Sequence, residues 1–341
     1  MRHYSIFDSH LRASMKKKIA LVAGGYSGEY VISIESAKTI ERHLDDTCFE
    51  VYKIIIDREA WWYETGEGER FFVDKNDFSL TVAGCKICFD AVFIAIHGSP
   101  GEDGKLQGYL DMLNIPYTTC NSIVSALTFN KNFCNKVLKD YDIVRISNAV
   151  VLYKDVPYSL GSILEQVRFP VFVKPNEGGS SLGTSKVNSP DQILTAIEKA
   201  FKEDRQVLIE EYIEGRELTI GVYKRKEMIY TLPPTEIVSK NAFFDYEAKY
   251  TAGITDEITP APVPADVLDQ LNRKAKAIYA CLNCSGMVRM DFILEKKSNE
   301  LYFLEVNTMP GQSENSLIPQ QVAAAGMDLR TFYGNLLQEI L

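Results

Sequence analysis

The first candidates for chemistry are the polar residues of one predicted β-hairpin. In the segment VRMDFILEKKSNELYFLEVN, a three-residue loop KSN (297–299) would place Asp291 opposite Glu305 and Arg289 opposite Asn307. Facing carboxylates repel each other unless a proton or a cation lies between them. Carboxylate and amide oxygens are the ligands that Mg²⁺ prefers, so the hairpin predicts a metal site, with a solvated hairpin face as the alternative.

A glycine-rich loop is the second candidate. In RFPVFVKPNEGGSSLGTSKV, Lys174 ends a predicted strand, and a loop with three glycines and two serines leads into another strand. Such a loop can point backbone N–H groups at phosphate oxygens while the lysine supplies positive charge. The P-loop motif GxxxxGK[ST] does not occur in the sequence. Loop and hairpin together indicate phosphoryl transfer, with a flexible surface turn as the alternative for the loop.

Alternating strands and helices predict the elements that would position these residues. Residues 16–120 read as a series of strands and helices around a parallel sheet, with the turns GGYSGE and HGSPGEDG at its ligand-binding edge. Residues 121–219 predict a helical stretch, NSIVSALTFNKNFCNKVLKDY, and then a largely antiparallel sheet. Residues 220–341 predict a third unit that ends in the hairpin. Residues 1–15 are interpreted as a poorly ordered extension.

The composition excludes several classes of protein. The chain has 341 residues, 46% hydrophobic and 24% charged, which is typical of a soluble globular protein. Its net charge of −9 argues against nucleic-acid or anionic-lipid partners, and no apolar run approaches the length of a membrane span. Seven scattered cysteines indicate the reducing cytoplasm, with the CxxC pairs Cys85/Cys88 and Cys281/Cys284 interpreted as core residues rather than a zinc site.

Nine motifs, taken in order, resemble those of the D-alanine:D-alanine ligases, which are ATP-grasp enzymes. They are GGYSGE, HGSPGEDGKLQG, FNK, KPNEGGSSLG, EEYIEGRE, FDYEAKY, VRMDF, EVNTMPG and NSLIP, and they run from about Lys18 to Ala325. Each motif alone is weak evidence, whereas nine in order are specific. The resemblance implies an α/β ATP-grasp fold in which an N-terminal parallel sheet is followed by two α+β subdomains that clamp ATP. It also implies ligation of two D-alanines through an acyl phosphate, for peptidoglycan precursor synthesis.

The resemblance implies which positions would bind ATP and metal. Contacts to ATP would come from Lys131 and Lys174 on the phosphates, Glu210 on the adenine side and Glu217 on the ribose hydroxyls. Two Mg²⁺ ions, or Mn²⁺, would be held by Asp291, Glu305 and Asn307, with Glu305 shared between the ions.

The resemblance also implies which positions would bind D-alanine. Glu29 would receive the ammonium group of the first D-alanine and, with Ser180 and Tyr250, close the site. Arg289 and the backbone N–H of Gly311 would hold the oxygen on which negative charge develops. The second D-alanine would contact Lys249 and Ser316 through its carboxylate and Leu317 through its methyl group, and His97 would lie at the edge of the first substrate's site.

Two alternatives to this reaction stay open. A related ligase could use D-serine or D-lactate as its second substrate; Lys249 and Tyr250 favour an amine nucleophile, because depsipeptide-forming relatives lack them. A catalytically inactive nucleotide-binding relative would be expected to lack a metal ligand or the oxyanion arginine, and none is missing. Gln312, where the family commonly has methionine, bears on second-site specificity. Glu102 and Asp103 are interpreted as helix caps outside the catalytic set, and the family suggests a homodimer.

Overall fold

The computed structural model describes residues 16–179, 182–239 and 255–341. Outside these ranges lie residues 1–15, which were interpreted as an extension, and the candidate residues Ser180, Lys249 and Tyr250. The strands are β1 Lys17–Gly24, β2 Phe49–Ile56, β3 Trp61–Glu64, β4 Arg70–Phe72, β5 Leu80–Val82, β6 Cys85–Ile87, β7 Ala91–Ile94, β8 Arg145–Ile146, β9 Ala149–Tyr153, β10 Val171–Pro175, β11 Ser185–Val187, β12 Gln206–Glu211, β13 Gly215–Arg225, β14 Met228–Thr231, β15 Thr235–Ser239, β16 Thr255–Ile258, β17 Met287–Glu295 and β18 Leu301–Asn307. The helices are α1 Tyr30–His43, α2 Lys105–Met112, α3 Ser122–Phe129, α4 Lys131–Asp140, α5 Leu160–Leu164, α6 Ile193–Ala200, α7 Ala265–Cys281, α8 Leu317–Ala324 and α9 Leu329–Gln338.

The first sheet has the strand order β4-β3-β2-β1-β7. Strands β2, β1 and β7 are parallel, as predicted, and α1 connects β1 to β2. The predicted alternation with helices is wrong after β2, because a tight turn there leaves no room for a crossover helix. Asp57 Oδ1 accepts hydrogen bonds from the backbone N–H groups of Glu59 and Ala60, and β3 and β4 therefore return antiparallel. The ends of β1 and β7 still bring both glycine turns to one edge.

The second sheet, β11-β10-β12-β9, is antiparallel throughout, as predicted. Helix α6 covers one of its faces, and apolar residues such as Ile193 and Ile197 pack there against Val171 and Ile209. The glycine-rich loop joins β10 to β11. Lys174, near the end of β10, therefore stands directly beside that loop.

The third sheet, β16-β15-β13-β17-β18-β8 with β14 paired to β13, contains the predicted hairpin. Asp291 pairs with Glu305 and Arg289 with Asn307, which confirms the predicted register at the site. The two carboxylates therefore face each other on adjacent strands.

The turn end of this hairpin differs from the prediction. Leu294 pairs with Leu301, so the loop has four residues, 296–299, rather than three. A β-bulge then shifts the register, leaving Leu304 without a cross-strand partner. The bulge offsets the longer loop, and the predicted pairing is restored where the polar residues lie.

Hydrophobic cores join the third sheet to its neighbours. The predicted helix over 121–141 is two helices, α3 and α4, which pack with α7 against the third sheet. The break comes at Asn130, whose Oδ1 accepts the N–H of Phe133 at 3.1 Å and caps α4. A further core unites the first sheet with α8 and α9. The expected boundary between residues 219 and 220 falls inside β13.

The cysteines divide between core and surface. All seven are free; Cys284 is buried and Cys281 half-buried, as predicted, whereas Cys85 and Cys88 are exposed and do not belong to the core. Cys85 begins β6 and Cys88 follows it, and β6 pairs with the short β5. Within the described ranges, no helix is long and apolar enough to cross a membrane.

Candidate active site

A cavity of about 870 Å³ lies between the second and third sheets and the segment 26–32, which follows β1 and begins α1. The predicted residues that line it are Glu29, Lys131, Lys174, Glu210, Glu217, Arg289, Asp291, Glu305 and Leu317. Asn307 borders a small adjoining void, together with Lys131 and Glu305. His97, Gly311 and Ser316 do not belong to the cavity lining. The fold thus brings the candidate metal, phosphate and ammonium positions to one space.

Asp291 is the most firmly held group of the candidate metal site. Thr219 Oγ1 donates to its Oδ1 at 2.6 Å, and Arg289 donates from Nε to Oδ1 at 2.9 Å and from Nη2 to Oδ2 at 2.8 Å. Asn307 Nδ2 donates to Oδ2 at 3.2 Å. Burial alone would lower the pKa of Arg289, but the pairing with Asp291 raises that pKa, so the guanidinium keeps its charge. These donors fix Asp291 on the cavity wall.

Lys131 connects the hairpin to the glycine-rich loop. Its Nζ lies 3.3 Å from Oε2 of Glu305 and donates to the carbonyl oxygen of Gly178 at 2.7 Å. The side chain starts from the first residue of α4, which Asn130 caps. A single ammonium group therefore stands between the two features that the sequence linked to phosphoryl transfer.

The candidate metal site is open. Among the residues that the structure describes, no group of three or more His, Cys, Asp or Glu side chains is arranged to hold a metal ion. Asp291, Glu305 and Asn307 instead offer two carboxylates and one amide from paired strands. Such a partial oxygen set suits Mg²⁺, which keeps positions for water and phosphate oxygens.

Lys174 and Glu210 form a buried ion pair on neighbouring strands. Lys174 Nζ lies 2.7 Å from Oε2 of Glu210, and their side chains are 16% and 4% exposed. Burial alone would lower the pKa of Lys174, but the negative charges of Glu210 and Glu305 raise that pKa. The other oxygen, Oε1 of Glu210, is buried without a hydrogen-bond partner. Since a buried acceptor without a donor is costly, this oxygen suits a ligand that brings an N–H group.

Residues that the sequence analysis did not single out line the same part of the cavity. Phe172 pairs with Glu210 in the second sheet, and its ring packs edge-on against Tyr212 with 5.8 Å between centroids. Ile293 and Leu304 line the cavity from the hairpin. Apolar walls beside an unpaired acceptor suit a planar heterocycle with an amino group. No motif marks these residues, since only the strand pairing brings them together.

Glu29 faces the glycine-rich loop. It precedes α1, but its side chain makes no capping hydrogen bond, so it is not a helix cap. A Cβ built at Gly179 would lie 3.2 Å from each of its carboxylate oxygens. A side chain at 179 would press against this carboxylate, so the glycine suits the close approach of the loop to Glu29.

The turn 97–104 holds a buried histidine and a functional candidate that the sequence analysis set aside. His97 is buried, and its ring nitrogens contact Ser36 Oγ at 2.9 Å and the Met309 carbonyl oxygen at 2.8 Å. Burial lowers the pKa of His97. The interpretation of Glu102 as a helix cap is wrong: its oxygens accept the N–H groups of Gly98 at 2.7 Å and Met309 at 3.2 Å. Burial, reinforced by the charge of Glu29, raises the pKa of Glu102 to about 8.

The last predicted residues surround the start of α8. Ser316 precedes the helix, and its Oγ lies 2.7 Å from Oγ of Ser313. A Cβ at Gly311 would come within 2.9 Å of Ser316 Oγ, so the two positions adjoin. Leu317 opens α8 and reaches the cavity.

Gln312 points away from the cavity. Its side chain donates to the Pro310 carbonyl oxygen at 2.8 Å and accepts from the Tyr333 hydroxyl at 3.0 Å. The residue is fully buried and does not line the cavity. Gln312, where the family commonly has methionine, therefore supports the backbone around Pro310 and does not contact the cavity.

Comparison with known proteins covers most of the chain. The family model "D-ala D-ala ligase N-terminus" matches residues 18–120, and "D-ala D-ala ligase C-terminus" matches residues 139–338. A D-alanine–D-alanine ligase of Azobacteroides pseudotrichonymphae is 43% identical over 95% of this chain and 100% of that protein.

Solved structures share the fold. The VanG D-Ala:D-Ser ligase from Enterococcus faecalis superposes with a TM-score of 0.86 at 29% identity, covering 96% of this chain and 100% of that one. A D-alanine–D-alanine ligase from Bacillus anthracis, solved in complex with ATP, gives a TM-score of 0.75 at 28% identity, covering 95% and 97% of the two chains. The three sheets therefore follow the fold of these enzymes.

Proposed function

Because the chain belongs to the D-alanine–D-alanine ligase family of ATP-grasp carbon–nitrogen ligases, we propose that its cavity joins two D-alanines through an acyl phosphate formed with ATP. In this reaction the carboxylate of the first D-alanine takes the γ-phosphoryl group of ATP. The amine of the second D-alanine then displaces phosphate and forms the peptide bond. The observation that carries the proposal is the convergence of the Lys131–Glu305 pair, the Arg289–Asp291 pair and Glu29 on one cavity.

ATP is proposed to lie along the second sheet with its phosphates toward the hairpin. The unpaired Oε1 of Glu210 would accept the exocyclic amino group of adenine, while the ring lies against the wall that Phe172 forms. Glu217, farther along the cavity on β13, would bind the ribose hydroxyls. Lys131 and Lys174 would offset the phosphate charge, which requires Lys131 to exchange its contact with the Gly178 carbonyl for phosphate oxygens.

Two Mg²⁺ ions, with Mn²⁺ as a substitute, are proposed to be held by Asp291, Glu305 and Asn307. The facing carboxylates fit this purpose, since their mutual repulsion is relieved by a cation. Bound divalent ions would neutralise the phosphate oxygens during phosphoryl transfer. Arg289 is fixed by Asp291 at the cavity wall, so its guanidinium is ready for a second anionic oxygen without reorganisation.

The first D-alanine is proposed to bind between Glu29 and Arg289. Glu29 would hold its ammonium group, and Arg289 together with the Gly311 N–H would stabilise the tetrahedral oxyanion when the amine attacks. The second D-alanine would be bound by Ser316 and Leu317, and by Lys249 from the segment outside the described ranges. The roles of Ser180 and Tyr250 in closing the site rest on the family resemblance alone. The homologues favour D-alanine over D-serine or D-lactate as the second substrate.

The decisive experiment measures phosphate release with ATP, Mg²⁺ and a panel of D-alanine, L-alanine, D-serine and D-lactate, with the product identified by mass. We expect release to require D-alanine and to yield D-alanyl-D-alanine. Equal turnover with L-alanine, or full activity in excess EDTA, would refute the proposal.

Three accompanying proposals concern the organisation of the protein. We place it in the cytoplasm, where ATP is supplied and its seven free thiols stay reduced. We propose a homodimer, which rests on the family resemblance. We propose that the chain has three units, as the sequence predicts, and that the second and third meet at the connection 212–214, between β12 and β13.

A further inference from the structure

Both backbone groups of Met309 are held by side chains from a distant part of the chain. Its N–H donates to Oε1 of Glu102 at 3.2 Å, and its carbonyl oxygen lies 2.8 Å from Nδ1 of His97. Glu102 and His97 both belong to the turn that follows β7 in the first sheet. The second oxygen of Glu102 accepts the N–H of Gly98, so the carboxylate is itself anchored at 2.7 Å.

A third side chain extends this contact to the other end of the same loop. Ser36, fully buried on α1, has its Oγ 3.1 Å from the backbone N of Gln312 and 2.9 Å from Nε2 of His97. The Met309 carbonyl can only accept, so His97 carries its proton on Nδ1, and Nε2 accepts from the Ser36 hydroxyl. The Ser36 oxygen is then free to accept the Gln312 N–H. In this series of hydrogen bonds, from Met309 through His97 and Ser36 to Gln312, each donor meets one acceptor.

We propose that Ser36, His97 and Glu102 are positioning residues that set the loop 308–312 for catalysis by holding the peptide groups of Met309 and Gln312. The loop lies between the proposed metal ligand Asn307 and the start of α8, and it carries the N–H of Gly311. This inference rests on the proposed function, in which that N–H stabilises the oxyanion. An N–H donor contributes to catalysis only if it already points at the developing charge, so its support is part of the chemistry.

The arrangement explains why Ser36 and His97 do not line the cavity, while Glu102 borders the small void beside Asn307 rather than the cavity itself. The ring nitrogens of His97 are both engaged inside the protein, and both oxygens of Glu102 accept backbone N–H groups. Their effect passes through Met309 and Gln312 rather than through direct contact with substrate. Residues of α1 and of the turn after β7 thereby hold the loop that connects the hairpin to α8.

The test compares Glu102→Gln and Ser36→Ala with the wild-type enzyme. Glutamine keeps one acceptor but presents an NH₂ group to the second N–H, so it breaks one of the two contacts in either protonation state of Glu102. The matched control is Asp103→Asn, which removes the neighbouring carboxylate; that carboxylate contacts only Lys105 among the hydrogen bonds described. Steady-state constants for ATP and D-alanine are measured together with inhibition by a phosphinate dipeptide, whose geometry resembles the tetrahedral intermediate.

We expect kcat to fall about 10- to 100-fold in Glu102→Gln and about 3- to 10-fold in Ser36→Ala, with the KM for ATP within about twofold of wild type. The phosphinate should lose affinity by a similar factor, which a purely structural role would not produce because folded enzyme would bind it normally. An unchanged kcat in both variants, or an equal loss in Asp103→Asn, would overturn the inference. A wild-type enzyme that makes no dipeptide would instead overturn the proposed function and, with it, this inference.

Discussion

Replacing Glu305 with glutamine separates catalysis from stability. The carboxylate faces Asp291 across the strand pair and lies 3.3 Å from Lys131, so the substitution removes a repulsion and an attraction at the same time. It also removes a weaker attraction to Lys174 and Arg289, whose pKa values Glu305 raises. The shape of the side chain is retained, and the pairing of β17 with β18 does not depend on its charge.

The two electrostatic effects are of similar size. With cross-strand groups about 5 Å apart and an effective dielectric constant of about 20, repulsion between Asp291 and Glu305 is about 3 kcal/mol. Attraction between Glu305 and Lys131 at 3.3 Å is about 5 kcal/mol on the same basis. These two contacts alone make the substitution cost about 2 kcal/mol. The lost attraction to Lys174 and Arg289 adds to this cost, and the saved desolvation of a carboxylate offsets it. We expect Tm to move by only a few degrees.

Activity should respond quite differently. Without the proposed shared metal ligand, we expect kcat to fall by at least about 1000-fold, measured by phosphate release over a range of Mg²⁺ concentrations. Glu300→Gln is the control, because it removes the same charge from the same hairpin at an exposed pair with Arg145, and it should change neither Tm nor kcat appreciably. Retained activity in Glu305→Gln, or a collapse of Tm, would refute the reasoning.

Three further perturbations test other parts of the site. Glu210→Gln should raise the KM for ATP by about tenfold or more and leave that for D-alanine nearly unchanged, since it weakens the pair with Lys174 and replaces the unpaired acceptor; a selective effect on D-alanine would contradict the nucleotide orientation. Lys249→Ala should raise the KM for the second D-alanine far more than that for ATP, and a change in the ATP constant alone would remove Lys249 from the acceptor site. The pKa of Glu102 is raised from 4.5 to about 8 in the folded protein. Between these two pH values the folded protein holds a proton that the unfolded chain has released, so the contribution of Glu102 to stability is lost as the pH rises toward 8. Relative to wild type, Glu102→Gln should therefore gain Tm between about pH 5 and pH 8, and a parallel pH dependence of the two proteins would disprove the shift.

The hairpin shows both how well the sequence predicts the site and why it succeeds. Alternation places Asp291 with Arg289 on one strand face and Glu305 with Asn307 on the next, and the assumed loop places Asp291 opposite Glu305. The inferred loop was one residue too short, and the bulge at Leu304 compensated for that error. Bulges depend on packing around the strand rather than on local sequence, so their position could not be predicted.

The contacts that Glu102 and Phe172 make with distant segments were not predicted. Glu102 reads as a capping residue in its local context, and only the fold brings it to the backbone of Met309, 207 residues away. Phe172 likewise carries no motif. In the sequence, side chains that bind backbone or line an apolar wall look like any other polar or core residue, whereas clustered carboxylates, lysines and glycines stand out.

The separation of hydrophobic cores sets how the enzyme can open. Among the residues that the structure describes, the core of the second sheet contains only residues between 150 and 209, whereas the first and third sheets share a core through α8 and α9. We therefore expect the second sheet to swing as a rigid body about the connections near residues 147–148 and 212–214, while the other two stay joined. Swinging would break polar contacts such as that of Asn132 N–H with Asn176 Oδ1 at 2.9 Å, but would expose no shared core. We expect nucleotide exchange to follow this motion, so that solvent viscosity slows turnover wherever product release limits the rate.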